Sequence, residues 1–248
     1  MSSRPNCKVC FSARDNILLA GRDIICLFAK PPVAGRTKRR LAAGIGDAAA
    51  ADLSRAMLQD MCDCILDVDN AEPQLWTVPD AVPEDFNDGL VPDRFTFQRQ
   101  HGNDLGERMA FTMESQLSTG KGQDRSRVLI IGSDCVSHSG ESLAAAFDQL
   151  ADEEIVIQPA ADGGYTLVGQ SRYCPEMFSD VDWGTESVMD TTRLRLADAG
   201  RSWSELPQSF DIDDVSDLDI LRRFLSEHCR PRTSAWLAAF DDGQCPVT

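Results

Sequence analysis

Short apolar runs closed by turn residues alternate along the chain with longer stretches of helical spacing. Asp23-Ile-Ile-Cys-Leu-Phe-Ala29, Pro73–Val78, Phe95–Gln98, Val128–Ile131, Glu154–Gln158 and Tyr165–Gly169 read as strands. Leu41–Val68 places Leu53, Met57, Leu58, Met61, Ile65 and Leu66 on one side of a helix. Further helices are expected over about Asp104–Leu117, Glu141–Leu150, Ser187–Ala199 and Val215–Glu227. Val128-Leu-Ile-Ile131 is apolar throughout and runs into Gly132-Ser133-Asp134, as a strand buried on both faces does. Pro159–Gly164 should turn the chain between two strands as a hairpin, through Asp162-Gly163-Gly164. These elements predict an α/β fold. In such folds, ligands sit outside the carboxyl ends of the strands.

Composition narrows the picture. With 248 residues and 42% hydrophobic content, one domain with a sizeable core is expected. We place it at residues 23–227, with an N-terminal tail at 1–22 and a C-terminal appendage at 228–248 that docks back through Trp236 and Phe240. The formal net charge of −16 argues against nucleic acid or an anionic membrane surface as a partner. Nine cysteines are an odd number and mostly scattered, which suits a reduced cytoplasmic protein better than a disulfide framework. Cys7-x-x-Cys10 has no second pair at zinc spacing, and Cys62-x-Cys64 falls within a helical pattern. No apolar run reaches the roughly 18 residues of a membrane span, and no signal core precedes the first strand.

The candidate chemistry lies at strand ends. Asp134 follows the buried strand, where a carboxylate suits Mg²⁺ or Mn²⁺ and, through it, phosphate oxygens. It also fits the cap of a following turn. After the first strand, Lys30–Arg40 holds five of the 24 basic residues in eleven positions, with prolines and Gly35. Strand, basic Gly/Pro loop and helix together suit an anion, held by backbone N–H groups, the helix dipole and cations. Neither GxxxxGK[ST] nor GxGxxG is present. Arg108, in the first turn of its helix, either reaches a phosphate or pairs with a nearby acid. His101 is a lone loop histidine. Asp162, Gly163, Gly164 and Tyr165 fit a simple turn or the close approach of a ligand. Trp183 offers a flat face or packs. Asp211, Asp213, Asp214 and Asp217 crowd seven positions. With Asp214 capping the last helix, a cation shared with Asp134 would account for Asp211 and Asp213.

Taken together, several of these segments resemble a family of bacterial proteins. They are Phe28–Lys38 with Arg40-Leu41, Gly102–Met109, Ile131–Cys135, Pro159 with Asp162–Tyr165, Trp183 with Thr185-Glu186, and Asp211–Asp213 with Asp217-Leu218. In that order they are similar to the nucleotide-diphospho-sugar transferase-like proteins of the GT-A fold, of the radical-SAM/selenodomain-associated transferase 1 type. These are related to molybdenum-cofactor and 2-phospholactate guanylyltransferases. Arg39 stands where the family usually has Thr, and Val136 where it usually has Pro.

The resemblance implies a three-layer α/β/α sandwich with a mostly parallel mixed sheet. It implies phosphate binding by Lys30, Gly35, Arg36, Lys38 and Arg40, with Arg108 as a further candidate. It implies a metal on Asp134 with Asp211 or Asp213, and an acceptor pocket at Asp162–Tyr165, to which we add Trp183, Thr185 and Glu186. Lys38, Asp134 and Asp162 are the candidate catalytic residues. The expected function is a transferase dependent on Mg²⁺ or Mn²⁺ that moves a sugar from a nucleoside-diphosphate sugar to a small-molecule acceptor. The alternatives are nucleotidyl transfer from a nucleoside triphosphate with release of pyrophosphate, and nucleotide binding without turnover.

Overall fold

The computed structural model describes residues 21–86, 89–117 and 126–243. The expected tail, and Cys7 and Cys10 within it, lie outside the described residues except for positions 21 and 22. Seven strands form one sheet: β1 (Asp23–Ala29), β2 (Ala71–Thr77), β3 (Thr96–Arg99), β4 (Arg127–Gly132), β5 (Ile155–Pro159), β6 (Tyr165–Gln170) and β7 (Trp203–Glu205), in the order β3-β2-β1-β4-β6-β5-β7. β6 runs antiparallel to both its neighbours, while the β3-β2-β1-β4 and β5-β7 pairings are parallel. Pro73 is tolerated inside β2 because β3 joins only from Gln74 onward, so no neighbour on that side needs its missing N–H.

Helices cover both faces. They are α1 (Arg39–Ile45), α2 (Asp47–Leu66), α3 (Leu105–Leu117), α4 (Gly140–Asp152), α5 (Val188–Asp198), α6 (Asp217–Glu227) and α7 (Pro231–Asp241). Leu58, Met61 and Ile65 of α2 and Leu143, Phe147 and Leu150 of α4 bury one face of the sheet, with Ile25, Leu27, Leu129 and Ile131. Met109 and Met113 of α3 and Met189 and Leu196 of α5 bury the other, with Ile24, Cys26, Val128 and Ile130. Alternate residues of β1 and β4 thus enter opposite cores, as the pleat requires. The three-layer α/β/α sandwich with a mostly parallel mixed sheet is the expected architecture.

Three local readings change. Leu41–Val68 is two helices, not one: Gly46 sits at φ 89°, outside the helical region, and separates α1 from α2. β7 was not legible, because Trp203-Ser204-Glu205 is short and largely polar and becomes a strand by pairing with β5. The last helix of the expected domain begins at Asp217 rather than Val215. Asp217 Oδ2 accepts from the backbone N–H groups of Asp213 and Asp214, while Asp214 Oδ1 accepts from that of Ser216.

The C-terminal segment is built into the structure. Trp236 and Leu237 of α7 are buried in a third core with Leu53 and Met57 of α2, Leu218 and Leu221 of α6, Val136 and Ile212. Buried Asp60 of α2 accepts from the backbone N–H and hydroxyl of Thr233, at 2.8 and 2.7 Å. Arg230, between α6 and α7, donates to the carbonyl oxygens of Val136 and His138 in the loop that follows β4.

Gly169 of β6 leaves room for side chains of both neighbouring strands and of α4. A methyl group there would lie 2.5 Å from Leu129 Cδ2, 2.6 Å from Val156 Cγ1 and 3.1 Å from Leu150 Cδ1. The Gly169→Ala variant should therefore lose about 1–3 kcal/mol in urea unfolding through overpacking.

Candidate active site

The carboxyl ends of β1 and β4 and the turn between β5 and β6 open on the same edge of the sheet. There the loop after β1 reaches across to the loop after β4. Lys38 is the residue that joins them. Its side chain is only 1% exposed, and Nζ lies 2.9 Å from Asp134 Oδ1 while donating to the carbonyl oxygen of Ile212. The Ile212 N–H in turn donates to the carbonyl oxygen of Asp134 at 3.2 Å. One ammonium thus ties together the basic loop, the end of the central strand and the late Asp211–Asp213 segment. Lys38 occupies left-handed backbone space, φ 45° and ψ 51°, just ahead of α1. That conformation is costly for a side chain with a Cβ.

Asp134 is not the cap of α4. That role belongs to Ser139, whose hydroxyl accepts from the Ser142 N–H while Ser142 Oγ accepts from Ser139 N–H. Asp134 is left half exposed at the mouth of a cavity of about 270 Å³. Asp162 and Asp211 border the same cavity. Burial holds the Asp211 carboxyl above its usual range, and the negative charge of Asp162 and then of Asp134 adds to this, against its own backbone hydrogen bond and Lys38. Phe28, Leu105, Met109, Val168 and Val188 supply apolar walls.

Trp183 and Tyr165 form a further wall, edge to face at 6.0 Å. Gly106 makes room for the indole: a Cβ there would lie 2.2 Å from Trp183 Nε1. Trp183 therefore packs against α3 and faces the cavity at once.

The expected acceptor residues divide. Gly164, Tyr165, Trp183 and Thr185 line the cavity, as Asp162 does. Gly163 and Glu186 do not. They pack on each other, since a Cβ on Gly163 (φ 90°) would lie 2.2 Å from the Glu186 carbonyl oxygen. Gly163 is thus required by its own chain rather than by a ligand. Asp162 is also a turn former, its Oδ1 accepting from the Gly164 N–H at 3.0 Å.

The basic residues divide as well. Lys30, Arg36 and Arg108 line a separate depression of about 250 Å³ with Pro31, Val78, Pro79 and Asp80. Arg108 donates to the Gly102 carbonyl oxygen, and Arg36 makes an exposed contact with Asp80 at 3.5 Å. Lys38 is turned inward, and Arg40 is ion-paired with Asp213. Neither Arg40 nor Asp213 lines either cavity, so the structure does not bring Asp213 to the cavity edge with Asp134 and Asp211. Gly35 adopts φ 75° and lets the loop turn. His101 lies against Phe111, at 4.5 Å between ring centroids, away from both cavities.

Sequence reasoning passed over the surroundings of Cys135, which lines the cavity. Burial raises its thiol, but the charge and hydrogen bond of His138, with the hydroxyls of Ser137 and Ser209, outweigh that and bring it down to about 6. Ser209 comes from a segment 74 residues away, so no local signal announces it. The Ile212 carbonyl, a backbone acceptor, was equally invisible.

A divalent cation is implied by the resemblance, and the donor set suits one in kind. Asp134, Asp162 and Asp211 are oxygen donors of like charge facing one cavity, and Asp211 is pushed up by the other two. Among the described residues, no group of three or more Asp, Glu, His or Cys is gathered into a ready-made metal centre. Among those residues, too, no helix is long and apolar enough to cross a membrane.

Over residues 61–185 the chain matches the model of a family described as uncharacterized proteins conserved in bacteria (DUF2064). No curated protein matches it. It is similar to a crystal structure from Desulfovibrio desulfuricans G20 provisionally named a nucleotide-diphospho-sugar transferase, at 32% identity, covering 92% of this chain and 100% of that one with a TM-score of 0.82. The fold is also that of a cytidylyltransferase from Leptospira borgpetersenii serovar Hardjo-bovis, at 13% identity, 92% and 98% coverage and a TM-score of 0.53. A CMP:2-keto-3-deoxy-manno-octonic acid synthetase complexed with CTP is similar at 11% identity, 84% and 99% coverage and a TM-score of 0.52.

Replacing Lys38 by Met should release the loop after β1. We expect about 1–3 kcal/mol of lost stability, from the Ile212 carbonyl left without its charged donor. Faster hydrogen exchange at the Ile212 N–H should accompany it. Unchanged exchange there would show that the ammonium does not hold the segments together.

Proposed function

The chain belongs to the DUF2064 family of bacterial proteins, and on that premise we propose that it is a metal-dependent transferase acting on a nucleotide-activated donor, with sugar transfer from a nucleoside-diphosphate sugar as the first reading. The observation that carries this is the Lys38–Asp134–Ile212 junction. It sets a carboxylate-edged cavity and a cationic depression on either side of the end of β1 and the first turn of α3. Lys30, Arg36 and Arg108 hold the diphosphate of the donor. Asp134 and Asp211 would hold Mg²⁺ or Mn²⁺, whose chemistry there would be to neutralise charge on a departing diphosphate. Lys38 keeps Asp134 aimed at the cavity.

The acceptor occupies the cavity against Gly164, Tyr165, Trp183 and Thr185. Its oxygen bonds to the anomeric carbon of the sugar as the bond from that carbon to the diphosphate breaks. The nucleoside diphosphate leaves with the electron pair, and Asp162 takes the acceptor proton. The radical-SAM/selenodomain-associated type and a cytoplasmic location are part of this reading.

The second reading, nucleotidyl transfer from a nucleoside triphosphate, draws on the fold shared with the CTP-bound synthetase. The same cationic depression would then hold a triphosphate, and pyrophosphate would leave.

Products separate the two. With labelled nucleotides, free nucleoside diphosphate marks sugar transfer and pyrophosphate marks nucleotidyl transfer. Nucleotide binding with neither product would overturn both. The Asp134→Asn variant should lose metal-dependent nucleotide binding in calorimetry, by about tenfold or more. A variant that binds like the parent takes Asp134 out of the site.

A further inference from the structure

Among the described residues, the cavity beside Asp134 offers no side-chain cation to whatever enters it. Among the described residues, no lysine, arginine or histidine lines it, while Asp134, Asp162 and Asp211 all do. The ammonium bonded to Asp134 is that of Lys38, which is buried and already shared with the Ile212 carbonyl. The loop cations Lys30 and Arg36, with Arg108, line the other depression. Most of the remaining wall is apolar, from Phe28, Leu105, Met109, Val168, Val188 and the face of Trp183, with Cys135, Thr166 and Thr185 among it.

One polar atom in this wall is unsatisfied. The Tyr165 hydroxyl is buried without a hydrogen-bond partner, and Tyr165 lines the cavity. A buried hydroxyl left unpaired costs about 1–3 kcal/mol, which a ligand hydroxyl or amine could recover. The volume, about 270 Å³, lies just under the usual range for small-molecule sites and is too small for a macromolecular segment of any length.

We propose that this cavity takes a small molecule with an apolar body and a hydroxyl or amine group, and with no phosphate or carboxylate. With no metal ion on Asp134 and Asp211, an anion placed there would be desolvated against three carboxylates with no side-chain cation free to pair with it. In the metal-free cavity an alcohol or ammonium has carboxylate acceptors on Asp162 and Asp211, and the unpaired Tyr165 hydroxyl lies buried in the wall behind. The inference names the acceptor class of the transferase proposed above, and rests on that reading only for the word acceptor. The occupant itself is argued from charge and shape.

The test is calorimetric titration of the full chain, freed of divalent metal with EDTA, with 2-phenylethylamine, 2-phenylethanol, phenylacetate and phenyl phosphate. The amine and the alcohol should bind at least about tenfold more tightly than either anion. Asp162→Asn keeps the oxygen that accepts from the Gly164 N–H and removes the charge. It should narrow the gap between amine and phenyl phosphate about fivefold or more. Leu105→Trp, at an exposed position on the rim, should remove amine binding and so locate it.

Equal or tighter binding of either anion overturns the proposal, as does binding of none of the four or amine binding that survives Leu105→Trp. Amine binding with no nucleotide turnover retains this inference and removes the transferase reading. Turnover onto a phosphorylated acceptor does the reverse.

Discussion

A buried ammonium is an expensive group, and Lys38 is tolerated only because both its surroundings and its position are fixed. The Asp134 carboxylate and the Ile212 carbonyl satisfy it, and the backbone accepts a left-handed conformation to deliver it. Those contacts join residues 38, 134 and 212, which lie far apart in the chain. Without such a link the loop after β1 would be an exposed basic turn, and the 211–213 segment an acidic one repelled by Asp134. With it, like-charged carboxylates face one cavity. The strain in the backbone and the crowding of charge are both consequences of one cation being enclosed.

That enclosure also divides the electrostatics of the molecule. The chain as a whole is strongly acidic, at −16. Its cationic depression is made by three side chains from two elements, Lys30 and Arg36 from the loop and Arg108 from α3. The apolar, carboxylate-edged cavity lies on the other side of Phe28 and Met109, which contribute to its wall. A molecule with an anionic half and a neutral half has one place for each. Long-range steering of anions toward such a protein is weak, so an anion in the depression would be held by short-range contacts.

Much of this was legible in the sequence, and what was missed has physical causes. β1 and β4 are buried on both faces and read as plain apolar runs. The β5–β6 hairpin announced itself through Asp162-Gly163-Gly164. Asp134 could be located because a carboxylate straight after a buried strand must emerge at a sheet end. Composition cannot show direction, however. Lys38 and Arg40 looked like neighbours of Lys30 and Arg36, yet the turn at Gly35 and the start of α1 send one inward and the other to Asp213. Gly163 looked available to a ligand because nothing in the sequence reveals that Glu186 packs on it. The division of the first long helix turned on the positive φ of Gly46, and β7 exists only by pairing with β5. Each of these is a tertiary effect overriding a local pattern.

The contact between Arg230 and the loop after β4 gives the end of the chain a share in the site. Its guanidinium holds the carbonyls of Val136 and His138, two and four residues beyond Asp134, and α7 is anchored to α2 through Asp60. Fraying that starts at the carboxyl-terminal helix therefore does not stay local. It slackens the stretch of backbone on which the strand-end carboxylate is mounted, so anything that pulls or clips this helix acts on the edge of the cavity from behind.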